Sequence, residues 1–186
     1  MIALNYRYTD AELKQLLNTL VVVIDTREKS NEHITDYLDK KKIAYKHLKL
    51  DHGDYSIMLP ANEELGIIRD IYFPIAIERK NSIDELASTI KQRTRFENEL
   101  IRSQRSDFML LVEDEQGYEN IIKGNYRSRY NPYSFLASVK AFETRYNFMS
   151  VFVSKITAGN YIYHHLYYYV RELLRRWTYA KRIFKI

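Results

Sequence analysis

The sequence has no cysteine. That excludes disulfides, zinc-thiolate centres and thiol nucleophiles, so a bound metal must be held by oxygen or imidazole. Five glycines and three prolines leave no room for a long flexible or proline-rich linker. The 186 residues therefore fit one domain, long enough to bury a substantial core. No apolar run approaches the length of a bilayer-spanning helix, and the N-terminus, with Asp10 and Glu12, lacks the apolar stretch of an export signal. A soluble, non-secreted, cytoplasmic protein is expected.

What the chain does have is charge of both signs and tyrosine. Its 29 basic and 24 acidic residues leave +5, which helps a polyanion approach without identifying one. The basic residues cluster in two tracts. Lys91, Arg93, Arg95, Arg102 and Arg105 form one, and Arg171, Arg175, Arg176, Lys181, Arg182 and Lys185 the other. Either tract alone is equally well explained as a solvated helix face. Many of the 17 tyrosines stand beside arginine or asparagine, where rings can stack on bases, although packing in core and rim accounts for most of them.

Hydrophobic periodicity predicts helices at 10–19, 32–41, 82–105 (in one or two pieces), 132–147 and 157–177. Strands are predicted at 20–25, 43–50, 52–59, 75–80, 108–113 and 149–154. Ser30 or Asn31 is the expected cap of the second helix, and Ser82, with Asp84 and Glu85 behind it, that of the third. Alternating strands and helices imply an α/β fold, a mixed central sheet flanked by helices.

The stretch "IAIERKNSID" (75–84) interrupts a buried strand with three charges. Period-two geometry sends Glu78 and Lys80 to one face and Arg79 to the other. A rim salt bridge between Glu78 and Lys80 explains the pair taken alone. "GDY" adds Asp54, however, and "VVVIDTRE" adds Asp25 and Glu28 at another strand's end, where sites collect. Carboxylates suit a hard cation such as Mg²⁺, which neutralises phosphate and acidifies water, and a nearby lysine can orient that water. This is the minimum inventory of a metal-dependent nuclease.

"VVVIDTRE", "GDYSI" and "IAIERKNSID" in this order resemble the XPF-type structure-selective nucleases, marked by GD, then ERK, three residues and Asp. "TRFENELIRSQ" resembles the family's basic helix, "FMLLVE" its next strand, and "SFLASVKAFETRYNFMSVFV" a later helix and strand, so the likeness covers roughly 20–175. The resemblance implies a restriction-endonuclease-like (PD-(D/E)xK) fold that cuts branched DNA (flap, fork or Holliday junction) with Mg²⁺ or Mn²⁺. It implies Asp54 and Glu78 as metal ligands with Asp25 as a third, Lys80 as the catalytic lysine, and Glu28, Arg79, Arg27 and Asp84 as supporting groups, the arginines facing phosphate. On this reading 1–19 is an N-terminal helical extension, 20–177 the nuclease domain and 178–186 a basic tail. Members pair through this domain, so a homodimer is expected, with "YIYHHLYYYV" (161–170) as an interface helix or equally an ordinary core helix.

The chain departs from the family in having no tandem helix-hairpin-helix segment. DNA contacts are then expected from Arg93 and Arg95, from Lys123, Arg127 and Arg129 in the loop "KGNYRSRYNPY", and from the last helix. A catalytically silent scaffold on the same fold is the main alternative, and a sequence-specific restriction enzyme another. His52 beside the GD pair is expected to be an ordinary loop histidine, Tyr55 to pack behind the site, Ser82 to be a cap rather than a nucleophile, and "EDE" (113–115) to be solvated loop. A composition rich in Lys, Asn, Ile and Tyr suits a phage or prophage of an AT-rich host.

Overall fold

Thr9 opens helix α1 (Asp10–Asn18) through a capping box. Its side chain accepts from the Glu12 N–H, and Glu12 reaches back to the Thr9 N–H at 2.7 Å. The computed structural model describes residues 8–180, so Lys181, Arg182 and Lys185 of the expected basic tail lie outside the described residues. Leu13, Leu16 and Leu17 recur at helical spacing and are all buried, so α1 contributes its apolar face to the core.

The sheet has seven strands: β1 (Val21–Ile24), β2 (Tyr45–His47), β3 (Tyr55–Leu59), β4 (Ile71–Tyr72), β5 (Ile75–Lys80), β6 (Asp107–Val112) and β7 (Met149–Phe152). Their order is β2-β1-β3-β5-β6-β7, with β4 paired to β3. Parallel pairs at both ends flank antiparallel pairing of β3 with β1 and β5, giving the expected mixed sheet. Val22, Val23 and Ile24 are fully buried, which is why β1 is a continuous β-branched run. β2 is shorter than the 43–50 expected because the chain beyond His47 turns outward at the sheet edge, where Leu48, Lys49 and Asp51 are exposed.

Helix α2 (Glu32–Lys40), α1 and the long α7 (Ala158–Ala180) cover one face of the sheet. Helices α3 (Ile83–Lys91), α4 (Arg93–Ser103), α5 (Gly117–Lys123) and α6 (Pro132–Tyr146) cover the other. The predicted 82–105 helix is two helices broken at Gln92, whose ψ of 49° leaves the helical region. The short α5 has no counterpart among the predicted elements, since seven residues carry too few turns to show a period. On the α3–α6 face, Phe96 meets Phe142 and Phe148 edge-on, and Phe148 meets Phe108 in the same way. Among the described residues no helix is long and apolar enough to cross a membrane.

The strand directions position the site. Because β3 runs antiparallel to both β1 and β5, the C-terminal ends of β1 and β5 and the start of β3 share one sheet edge. The edge is tied by the Asp25 N–H to the Asp54 carbonyl and by the Asp54 N–H to the Ile77 carbonyl, each at 2.8 Å.

Helix α7 crosses α2 where a Cβ on Gly159 would lie 2.9 Å from Tyr37 Cβ. Gly159→Ala is expected to force the helices apart and destabilise the fold by about 1–3 kcal/mol, read from urea unfolding.

Candidate active site

Strand β5 alternates strictly. Ile75 and Ile77 enter the core under α7, and Ala76 faces α3–α6. Glu78 and Lys80 therefore follow Ala76 to the α3–α4 side, while Arg79 follows the isoleucines. All three are buried, at 6%, 6% and 8% exposure, so each must find a partner.

Gly53 brings Asp54 to this edge. Its φ of 73° is a left-handed conformation suited to glycine, and a Cβ there would lie 2.9 Å from Ala76 Cβ. The Asp54 carboxylate accepts the Arg79 N–H at 2.8 Å, which holds it beside Glu78. Burial, then the charge of Glu28, push the Asp54 carboxyl up to about 7. Burial and the charge of Asp54 likewise raise Glu78 well above the ordinary carboxylate range. Lys80 donates to Glu78 at 2.5 Å, and although burial disfavours its charge, Glu78 holds the ammonium above its ordinary value.

These groups form the floor of a cleft of about 400 Å³. Arg27 and Glu28 stand on one side, Glu85, Ser88 and Thr89 of α3 on another, and Gln92, Arg95 and Glu99 close it. Two crowded carboxylates whose charged forms are disfavoured by burial and by each other are the oxygen donors that a hard divalent cation relieves. Among the described residues no three carboxylate or imidazole groups already converge on one point. Lys80 occupies one oxygen of Glu78, and the Arg79 N–H one oxygen of Asp54.

Other expected site residues are placed differently. Asp25 is 1% exposed and does not line the cleft. One oxygen accepts the backbone N–H and Nε of Arg27, and the other accepts Arg27 Nη2 and the Leu50 N–H at 2.6 Å. Those bonds hold Asp25 below the ordinary carboxylate range although burial opposes it. Asp25 thus fastens the loop after β1 and has no oxygen to spare as a third ligand.

The Arg79 guanidinium is engaged by two carboxylates. It lies between Glu28, at 2.6 Å from Nη1, and Glu113, at 2.8 Å from Nε and 3.0 Å from Nη2. Glu113 also meets His33 Nε2 at 2.5 Å and is buried, so the first residue of "EDE" is an ion-pair partner rather than solvated loop. Tyr55 packs behind the site and donates to Glu28 at 3.1 Å. Asn31 stands at the expected cap position of α2, but its side chain donates to Tyr55 Oη instead of capping.

Asp84 accepts the Arg127 N–H at 2.7 Å and tethers the loop before α6, outside the cleft. Arg127 is left exposed, as are Arg129 and Lys123, the last paired with Glu119 on its own helix. Arg93 pairs with Glu97 and stacks over Phe142, so of the three α4 arginines only Arg95 lines the cleft. His52 meets Ser106 Oγ, and burial lowers its pKa. Ser82 caps α3 by accepting the Glu85 N–H. Glu99 is the cleft residue missed by sequence reasoning. Its only signal was the i, i+4 spacing from Arg95, which puts both on one face of α4.

The raised Asp54 implies a pH effect in metal-free protein. The folded state holds this proton up to about pH 7, against an ordinary value of 3.8. Its stabilisation is therefore complete at low pH and is lost as pH rises through about 7. Asp54→Asn is expected to be more stable than wild type at pH 8 in EDTA, with the gap narrowing at pH 5, measured by thermal melting.

Among curated protein sequences none matches this chain. Among solved structures, XPF from Aeropyrum pernix is similar in fold, with a TM-score of 0.58 and 20% identity over 84% of this chain and 69% of that one. XPF from Aeropyrum pernix in complex with DNA gives a TM-score of 0.52 and 19% identity over 89% and 68%. A family model described as the ERCC4 domain matches residues 24–166, a span running from the end of β1 into α7 and including Asp54, Glu78 and Lys80. With that match over most of its length, the chain belongs to the ERCC4 domain family.

Proposed function

We propose that this protein is a DNA endonuclease that hydrolyses phosphodiester bonds with Mg²⁺ or Mn²⁺, acting on branched DNA as a homodimer. The observation that carries this reading is the crowded Asp54–Glu78 pair with Lys80 between strand edge and cleft. Asp54 and Glu78 would hold the cation, which would supply positive charge against the phosphate and a more acidic water.

The chain's own groups do the rest. The Lys80 ammonium, beside Glu78 at the cleft floor, would hydrogen-bond a water or a phosphate oxygen and offset negative charge as it accumulates. Arg27 and Arg95 line the cleft and would receive backbone phosphates, contacts that position DNA without reading its sequence. Arg127 and Arg129, on the loop tethered by Asp84, extend the basic surface past α3, where Ser88 lines both the cleft and a groove holding Lys91 and Arg127. A strand leaving the cleft over Ser88 would meet that groove, which favours a branched substrate over plain duplex.

Support for pairing comes from α7. Ile162, Leu166 and Val170 enter the core, while Tyr161, His164, His165 and Tyr168 line an aromatic groove of about 450 Å³ on the outer side. The silent-scaffold alternative requires none of Asp54, Glu78 or Lys80.

Labelled linear, flap, fork and four-way DNA incubated with Mg²⁺, Mn²⁺ or EDTA tests the reading. Cutting of branched substrates with metal, and none in EDTA, is expected. Lys80→Ala and Glu78→Gln are each expected to lower the rate by about 100-fold or more while branched-DNA affinity holds within about threefold. Undiminished cutting in either variant refutes the site, and no metal-dependent cutting of any substrate refutes the activity.

A further inference from the structure

The cleft contains more carboxylates than its expected ligands, and their existing bonds separate them by role. Asp25 is consumed by Arg27 and the Leu50 N–H. Glu28 is neutralised by Arg79 and accepts from Tyr55 on the same oxygen. Glu85 accepts the Asn81 N–H and lies 3.9 Å from Lys80. Glu99 differs from all three. It comes from α4 on the wall facing the strand edge, lines the same cleft as Asp54 and Glu78, and its carboxylate acts on both of them. Its charge also acts on Arg27 across the cleft.

The backbone beneath Glu99 is rigid. Phe96 and Leu100 on either side of it are 1% and 0% exposed, while Glu99 itself is half-buried at the cleft wall. A flexible carboxylate on a fixed helix, opposite two carboxylates on a fixed strand edge, leaves one side chain to move when a cation enters.

We infer that Glu99 is the third carboxylate of the metal set, enclosing the cation with Asp54 and Glu78 from the helical wall in the place the sequence assigned to Asp25. The inference rests on the metal-dependent reading above. It gives the cation ligands from both walls of the cleft, with the Glu99 side chain closing on the strand edge while α4, which also carries Arg95, stays in place.

Direct Mn²⁺ binding to the full chain without DNA, by electron paramagnetic resonance or calorimetry, tests it. Glu99→Gln is expected to weaken Mn²⁺ binding roughly tenfold or more. Glu97→Gln removes the same charge from the same helix but pairs outward with Arg145, and is expected to bind within about twofold of wild type. Circular dichroism without metal should show Glu99→Gln folded, since the substitution is isosteric and the site half-exposed. In cleavage assays Glu99→Gln should need a higher Mn²⁺ concentration for half-maximal rate. Wild-type Mn²⁺ affinity in folded Glu99→Gln overturns the role of Glu99 alone, as does equal weakening by Glu97→Gln. Absence of Mn²⁺ binding by wild-type protein overturns this inference and the metal-dependent function together.

Discussion

Charge burial at the end of β5 constrains everything around it. Removing Glu78, Arg79 and Lys80 from water costs several kcal/mol for each unpaired ion, so the neighbouring elements are arranged to pair them. Arg79 is satisfied by Glu28 and Glu113, which fastens the loop after β1 and the end of β6 to the central strand. Lys80 is satisfied chiefly by Glu78, with Glu85 3.9 Å away, and Asp54 is held beside that pair by the Arg79 N–H. The imbalance of two or three carboxylates against one lysine is left on the cleft side only.

The period of the strand makes this division. Consecutive residues on β5 face opposite sides, so one charged tripeptide builds two unlike environments within a few ångströms. On one side, Arg79 is enclosed by Glu28 and Glu113, with Tyr55 and His33 bonded to those carboxylates, and Glu28 borders the cleft as well. In front, the charges are under-compensated and open to solvent through the cleft. The first arrangement is rigid scaffolding, and the second is the site that we propose takes a cation and an anionic substrate.

Several motif positions have physical reasons that do not involve touching substrate. Gly53 supplies a left-handed turn and the close approach to Ala76 that lets Asp54 reach the edge. Ser82 and Glu85 begin α3 immediately after the charged strand, so the helix wall starts where the floor ends. Asp84 holds the Arg127 loop, and Asp25 holds Arg27 and the Leu50 segment. Acidic residues in this motif thus divide between loop fastening and the cation binding proposed above, and residue type alone does not separate them.

What the sequence determined is what local chemistry determines. The β-branched run of β1, the alternation of β5, the caps of α1 and α3 and the presence of Asp54, Glu78 and Lys80 at strand ends all follow from spacing within a few residues. Those features were legible because helical and strand periods and capping preferences act over one or two turns. The tertiary structure alone decided which carboxylates share space. It turned Asp25 inward to Arg27 and the Leu50 N–H, buried Glu113 against Arg79, and brought Glu99 across from α4 to Glu78. These meetings join residues tens of positions apart, and they depend on strand order and on how α4 packs through Phe96 and Leu100. Short-range spacing carries no record of that packing.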